Sequence, residues 1–314
     1  MLPFWASDAV LITVQAALVC GPLPKLPRAL ARAKGSVWGW VLLPGSLGGT
    51  IALLAAVPSL ADVYAWVAAI GVPLLAAIAF GAWARGVGRA AAVTIGLLTA
   101  GVLLAIAWAG DGWIAQAAAV TLTALSVSTI AAWLAELAPS LVLRIALVVM
   151  AVLDCVLVFG HLLEGPNDTL NAASASSLPH LQVAHFQHAL MGYGDFFVAA
   201  VLGAILATAA TPPWPARRTG AVIVLALSVL FDLLFFVVDM LPATVPVAVA
   251  LLVLSALRAR APHDSQARTG RSSAPRRSGR AGTPAPHPGA AEYDGRRSTD
   301  PRRSDEPTTW EDPT

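Results

Sequence analysis

The 314 residues are 57% hydrophobic and 12% charged, with a net charge of +2, and that is about half the charge of an average soluble domain. Residues 1–257 hold 9 Lys/Arg and 10 Asp/Glu, whereas residues 258–314 hold 11 Arg and 8 Asp/Glu. A soluble globular body, a nucleic-acid-binding surface and a disulfide framework (Cys20 and Cys155 both sit in apolar runs) are thereby excluded, and a membrane body with a polar extension is implied.

A hydrocarbon core of about 30 Å takes about 20 apolar residues as helix. On that ruler the sequence predicts nine spans, at 4–23, 37–57, 60–83, 90–109, 113–134, 140–163, 189–209, 219–239 and 241–257. The runs are continuous rather than alternating with period two, so helices are expected and a barrel is not. Residues 1–10 contain no Lys or Arg, so the charged start of a signal peptide is missing and the first run reads as a retained span. Pro22, Pro24 and Pro27 follow that span, and Val57-Pro58-Ser59-Leu60 makes a short turn between the second and third. Pro139 precedes the sixth, and Thr211-Pro212-Pro213-Trp214-Pro215 follows the seventh. Trp40, Trp83, Trp108, Trp113 and Trp214 fall near the expected ends, where indole rings favour the interface.

The longest internal connection, 164–188, is polar and carries Glu164, Asp168, His180, His185 and His188. Residues 258–314 are rich in Arg, Ser, Pro, Gly and Thr and have too few aliphatic side chains to offset the entropy of ordering, so disorder is expected there. The predicted organisation is an all-α polytopic membrane domain over 1–257, with five spans in 1–139 and four in 140–257, followed by a disordered tail over 258–314. Scarce Lys beside abundant Ala, Arg, Gly and Pro suggests a GC-rich genome and a bacterial plasma membrane.

Charges inside the apolar runs are the informative residues, because an aspartate at mid-helix costs about 2.5–3.5 kcal/mol on insertion scales. Asp154 lies in the sixth span, Asp195 just inside the seventh and Asp232 inside the eighth, which Asp239 ends. Asp154 precedes the end of its span by about 13 Å, and Asp195 follows the start of the next by about 9 Å. Consecutive spans are antiparallel, so both carboxylates fall in the same half of the bilayer. Each aspartate alone is equally explained by taking a proton and bonding a neighbouring helix, or by an ion pathway.

The residues around them narrow the choice. Gly192-Tyr193-Gly194-Asp195 matches the Gly-x-Gly-Asp motif of the presenilin and signal peptide peptidase family of intramembrane aspartyl proteases. Leu153-Asp154 stands where that family has Tyr-Asp in its sixth span. Leu241-Pro242-Ala243-Thr244-Val245-Pro246 resembles the Pro-Ala-Leu motif that opens the family's ninth span, with Thr244 in place of Leu. The resemblance covers chiefly 140–257; the first five spans match only in number. It implies a presenilin-like fold of nine helices, a catalytic pair Asp154/Asp195, and a substrate groove formed by Gly192, Tyr193, Gly194, Leu241, Pro242, Ala243 and Thr244. It implies cleavage of peptide bonds within transmembrane helices or signal-peptide remnants, with no metal or organic cofactor, and a strand-like substrate pairing near 164–188 and Pro242-Ala243.

A carboxylate pair hydrolyses a peptide when one member is ionised and activates water while the other is protonated and donates to the carbonyl oxygen. Gly192 and Gly194 would permit unusual backbone angles and close approach beside Asp195, or serve helix packing. His161, His180, His185 and His188 fix no tetrahedral ligand set, so loop histidines are expected rather than a metal site. A proton-coupled transporter with an Asp154–Asp195–Asp232 relay, and an inactive scaffold of the same fold, are the competing functions. Prepilin peptidases share a Gly-x-Gly-Asp aspartate but not the ninth-span motif.

Loop charges set an expected orientation. Lys25, Arg28, Arg32 and Lys34 follow the first span, Arg85 and Arg89 the third, Arg217 and Arg218 the seventh, and Arg258 and Arg260 the ninth. Asp62, Asp111 and the 164–188 segment occupy the alternate connections. The positive-inside rule then puts the N-terminus outside and the C-terminal tail in the cytoplasm, which favours type II substrates.

Overall fold

The computed structural model describes residues 5–33, 60–160, 181–209, 212–236 and 241–260. They form eight α-helices: α1 (Trp5–Leu18), α2 (Leu60–Trp83), α3 (Arg89–Ala109), α4 (Trp113–Leu137), α5 (Ser140–Phe159), α6 (Tyr193–Ala209), α7 (Pro213–Asp232) and α8 (Val245–Arg260). One antiparallel hairpin, β1 (Val183–Phe186) and β2 (Ala189–Gly192), stands between α5 and α6. Contacts divide the chain into Met1–Ala261 and Pro262–Thr314. The expected second span (37–57), the 258–314 tail beyond Arg260, Asp239, His161 and His180 lie outside the described residues.

Five helices are long and apolar enough to cross a membrane: α2 from Ala65, α3, α4, α5 and α7. Three more, α1, α6 and α8, are apolar but shorter. The outward faces of the long helices are hydrophobic, as at Leu98, Val102, Val152, Val222 and Leu230, all exposed. An aqueous surface of that kind would aggregate, whereas lipid accepts it. The chain is an integral membrane protein. Trp83, Trp108, Trp113 and Trp214 are exposed at helix ends, as interfacial indoles require.

At the centre of the bundle stands α6. Phe196 and the run from Val198 to Leu206 are buried, and the helix packs against α1, α4, α5, α7 and α8. Its 17 residues span roughly 25 Å, short of a full crossing, because 189–192 is strand rather than the helix expected there. The pairing Val183↔Gly192 through Phe186↔Ala189 claims those backbone groups. At the turn, Gln187 adopts φ 53°, the left-handed region that tight hairpins use. Close packing replaces the hydrophobic effect inside the membrane, and small residues allow it. A Cβ at Gly203 would run into the Val19 backbone, and one at Gly96 into the Ala77 carbonyl.

A second cluster joins α2, α3 and α4 through Val72, Ala76, Ala77, Ala100, Leu122 and Leu125. Along α4, buried hydroxyls are satisfied by carbonyls: Thr123 donates to Leu181 O at 3.1 Å and Thr129 to Leu75 O at 2.8 Å. The eighth span also differs from its expected range. Helix α7 begins at Pro213, whose missing N–H costs nothing in a first turn, and ends at Asp232 before a 3₁₀ turn, Leu233–Phe236. Asp232 is therefore a helix end rather than a mid-span charge. Residues 241–244 are likewise a non-helical lead-in with a turn at 243–244, and α8 starts after Thr244.

Candidate functional site

Asp195 is the third residue of α6, and Gly192 immediately precedes that helix. Its Oδ2 accepts the Gly192 N–H at 3.0 Å, the reciprocal bond of a helix capping box, in which a first-turn acid ties back to the capping residue. A Cβ at Gly192 would sit 3.2 Å from that oxygen, while one at Gly194 would meet nothing within 4 Å. Neither glycine takes a positive φ; among the described glycines only Gly88 and Gly112 do. The motif thus uses absence of bulk, not unusual backbone angles. Tyr193 anchors the same turn from its other side, its hydroxyl 3.0 Å from that of Ser126 on α4.

Asp154 lies five residues before the end of α5, about 8 Å along the axis. Asp195 lies within about 3 Å of the start of α6. Both aspartates occupy the same end of an adjacent, packed helix pair. The Thr244 hydroxyl donates to Asp154 Oδ2 at 2.6 Å, and the Thr244 N–H approaches the same atom at 3.5 Å. Thr244 is buried, and its carbonyl takes the first helical bond of α8 from Ala248. Where the related motif has Leu, this chain has a hydroxyl bound to the first aspartate. Leu153, in the place of Tyr, is exposed on the outer face of α5.

The three separated motifs thus meet at one end of the bundle. Leu241, Ala243 and Pro246 line a cavity of about 120 Å³ with Asp195, Leu190 and Met191, and Pro242 is buried behind them. The same cavity holds Asp8, Gln15, Ser228 and Asp232, a polar lining that suits water. Sequence reasoning assigned nothing to Asp8, Gln15 or Ser228. The signal was available for Gln15, an amide in the apolar run Leu11–Leu18. His185 and His188 fall on the hairpin, and among the described residues no three His, Cys, Asp or Glu are grouped to hold a metal.

No protein-family model matches this chain, and no curated protein matches it. The likeness to intramembrane aspartyl proteases rests on residues 153–154, 192–195 and 241–246 and on their meeting in space.

Chemically, the arrangement offers two carboxyls in partial shelter from water, each with a hydrogen-bond donor on one oxygen.

Proposed function

We propose that the chain is an intramembrane aspartyl endopeptidase with Asp154 and Asp195 as its catalytic pair. The observation that carries this is that the Thr244 hydroxyl holds Asp154 while Ala243, the residue before it, lines one cavity with Asp195, which joins three segments far apart in sequence. One aspartate takes a proton from water as it attacks the scissile carbonyl. The other gives its proton to the carbonyl oxygen, and both then assist collapse of the gem-diol. A transmembrane helix must unwind to present that bond, and its freed backbone needs partners. Among the described residues the hairpin beside Asp195 has two strands, and a sheet edge is what an added substrate strand would pair with.

The substrates are membrane-spanning helices or signal-peptide remnants of type II orientation. Arg217 donates to Val19 O at 2.8 Å and to Gly21 O at 2.6 Å, and Glu136 accepts from Leu26 N–H at 3.3 Å. The basic segments after α1 and at the start of α7 therefore share one end of the bundle, and the aspartates share the other. With the basic end cytoplasmic, the pair stands in the extracytoplasmic half of a bacterial plasma membrane.

The test is cleavage of a type II reporter helix by the purified chain in lipid, with and without an aspartyl-protease transition-state analogue. Asp154→Ala and Asp195→Asn should each lower the rate by about 10²–10⁴-fold, the usual worth of a positioned acid or base. A variant that inserts normally and still cleaves near the parent rate would sink the assignment. The rate should fall at low pH, where both members are protonated, and at high pH, where both are ionised.

A proton-coupled transporter is the second reading, favoured by Asp8 and Asp232 lining the Asp195 cavity. Proton flux in liposomes that survives the analogue, without cleavage, would favour it.

A further inference from the structure

Gln15 sits in the last turn of α1, 1% exposed, among the buried apolar side chains of Leu11, Ile12, Ala16 and Leu18. Its Nε2 donates to Asp195 O at 3.3 Å and to Ala243 O at 3.1 Å. Its Oε1 accepts from the Ser228 hydroxyl of α7 at 3.4 Å. Carbonyl oxygens only accept, so the amide has a single orientation that satisfies all three contacts. One side chain therefore joins the backbone of one aspartate to the residue preceding Thr244, and Thr244 in turn holds the other aspartate. No other described hydrogen bond links those two segments.

We infer that Gln15 is the positioning residue of the aspartate pair: its amide sets the separation of Asp154 and Asp195 by tying the start of α6 to the lead-in of α8, with Ser228 orienting the amide. The inference rests on the protease reading for its kinetic consequence but not for its geometric one. The lead-in 241–244 has a single turn bond of its own, from Val245 N–H to Pro242 O at 3.2 Å, and the amide that ties it to α6 is buried. Reacting groups displaced by about 1 Å lose on the order of 10²-fold in rate. Loss of the tie should therefore act on the chemical step and spare substrate docking.

Two experiments on the full chain in lipid separate the possibilities. In the first, Gln15→Leu, which keeps the size and removes the donors, is compared with the parent for cleavage of the reporter helix. Active molecules are counted by folded protein. The expected result is a kcat lower by about 10²-fold with KM little changed. Ser228→Ala should give a smaller fall, and adding it to Gln15→Leu should cost nothing more, because it acts through the same amide. Parent-like kcat in folded Gln15→Leu, or a loss confined to KM, would overturn the inference, and additive effects would remove Ser228 from it.

The second experiment needs no activity. Amide hydrogen exchange is followed with both aspartates in place. Gln15→Leu should speed exchange of the Val245 and Ala248 amides, which bond Pro242 O and Thr244 O, severalfold, whereas Thr129→Val, which removes a buried hydroxyl bond elsewhere, should not. Equal exchange with and without Gln15 overturns the inference whatever the chemistry of the site. A parent chain that cleaves no membrane peptide yet shows the Gln15-dependent exchange would instead reject the protease and keep the tie.

Discussion

At the scale of single residues, the departure of Thr244 from the related motif has a physical consequence. A hydrogen bond to a charged group contributes about 1.5–3 kcal/mol, and 1.36 kcal/mol is about tenfold in rate. Thr244→Val keeps the shape and loses the donor to Asp154, so cleavage should drop by roughly 10- to 100-fold. Thr244→Ser keeps the hydroxyl and should stay within a fewfold of the parent. Parallel rates for the Val and Ser variants would mean that the hydroxyl is a packing feature alone. Gly192 acts by what it lacks. In Gly192→Val the added atoms press on Asp195 Oδ2, which a Cβ would approach at 3.2 Å. Activity should fall while the helical circular dichroism stays, since the strain lands on one carboxyl.

Among the elements, α6 and the hairpin before it do most to shape the site. The helix is short because its expected first turn is spent as β2, and this turns Asp195 into a first-turn residue beside a strand edge. Its placement depends on α1, whose Val19 backbone lies where a Cβ of Gly203 would go. Arg217 ties down the α1 terminus through two carbonyls, a favourable place for a cation. Gly203→Leu should prise α1 from α6 and cost more than the about 1–3 kcal/mol of ordinary overpacking, because backbone rather than a side-chain tip must move. Lowered thermal stability of the purified chain, together with lost cleavage, is the expected readout. An unchanged midpoint would show that the two helices are not as close as the contact requires.

For the whole molecule, the basic segments and the aspartates occupy opposite ends, and on the proposed protease reading the orientation of the bundle would select the substrates. A fusion reporter at residue 258 should be cytoplasmic, and matched type II segments should be cleaved in preference to type I. Equal cleavage of the two would break the link between orientation and specificity. Removing everything after Leu257 should leave cleavage intact, since the Arg-, Ser- and Pro-rich composition beyond it offers no apolar surface to pack against the bundle. Loss of activity in a correctly inserted truncated chain would contradict this.

Composition and apolar run length determined the membrane class and the ranges of α2, α3 and α4 to within a few residues, because crossing hydrocarbon constrains length and polarity directly. Chain order also implied that Asp154 and Asp195 lie toward the same end of two successive antiparallel helices, as they do in the packed pair α5 and α6. Tertiary structure decided the rest. Hydropathy does not distinguish an apolar strand from an apolar helix, so β2 looked like the start of a span until its pairing with β1 was visible. Asp232 reads as mid-span from its neighbours, yet α7 starts early at Pro213 and ends on it. In the sequence Thr244 is a mismatch to the Pro-Ala-Leu motif, and Gln15 is one amide in an apolar run. Both acquire meaning only from partners 90, 180 and 228 positions away. A hydrogen bond between distant segments leaves no local trace in either of them, and the fold alone brings donor and acceptor together.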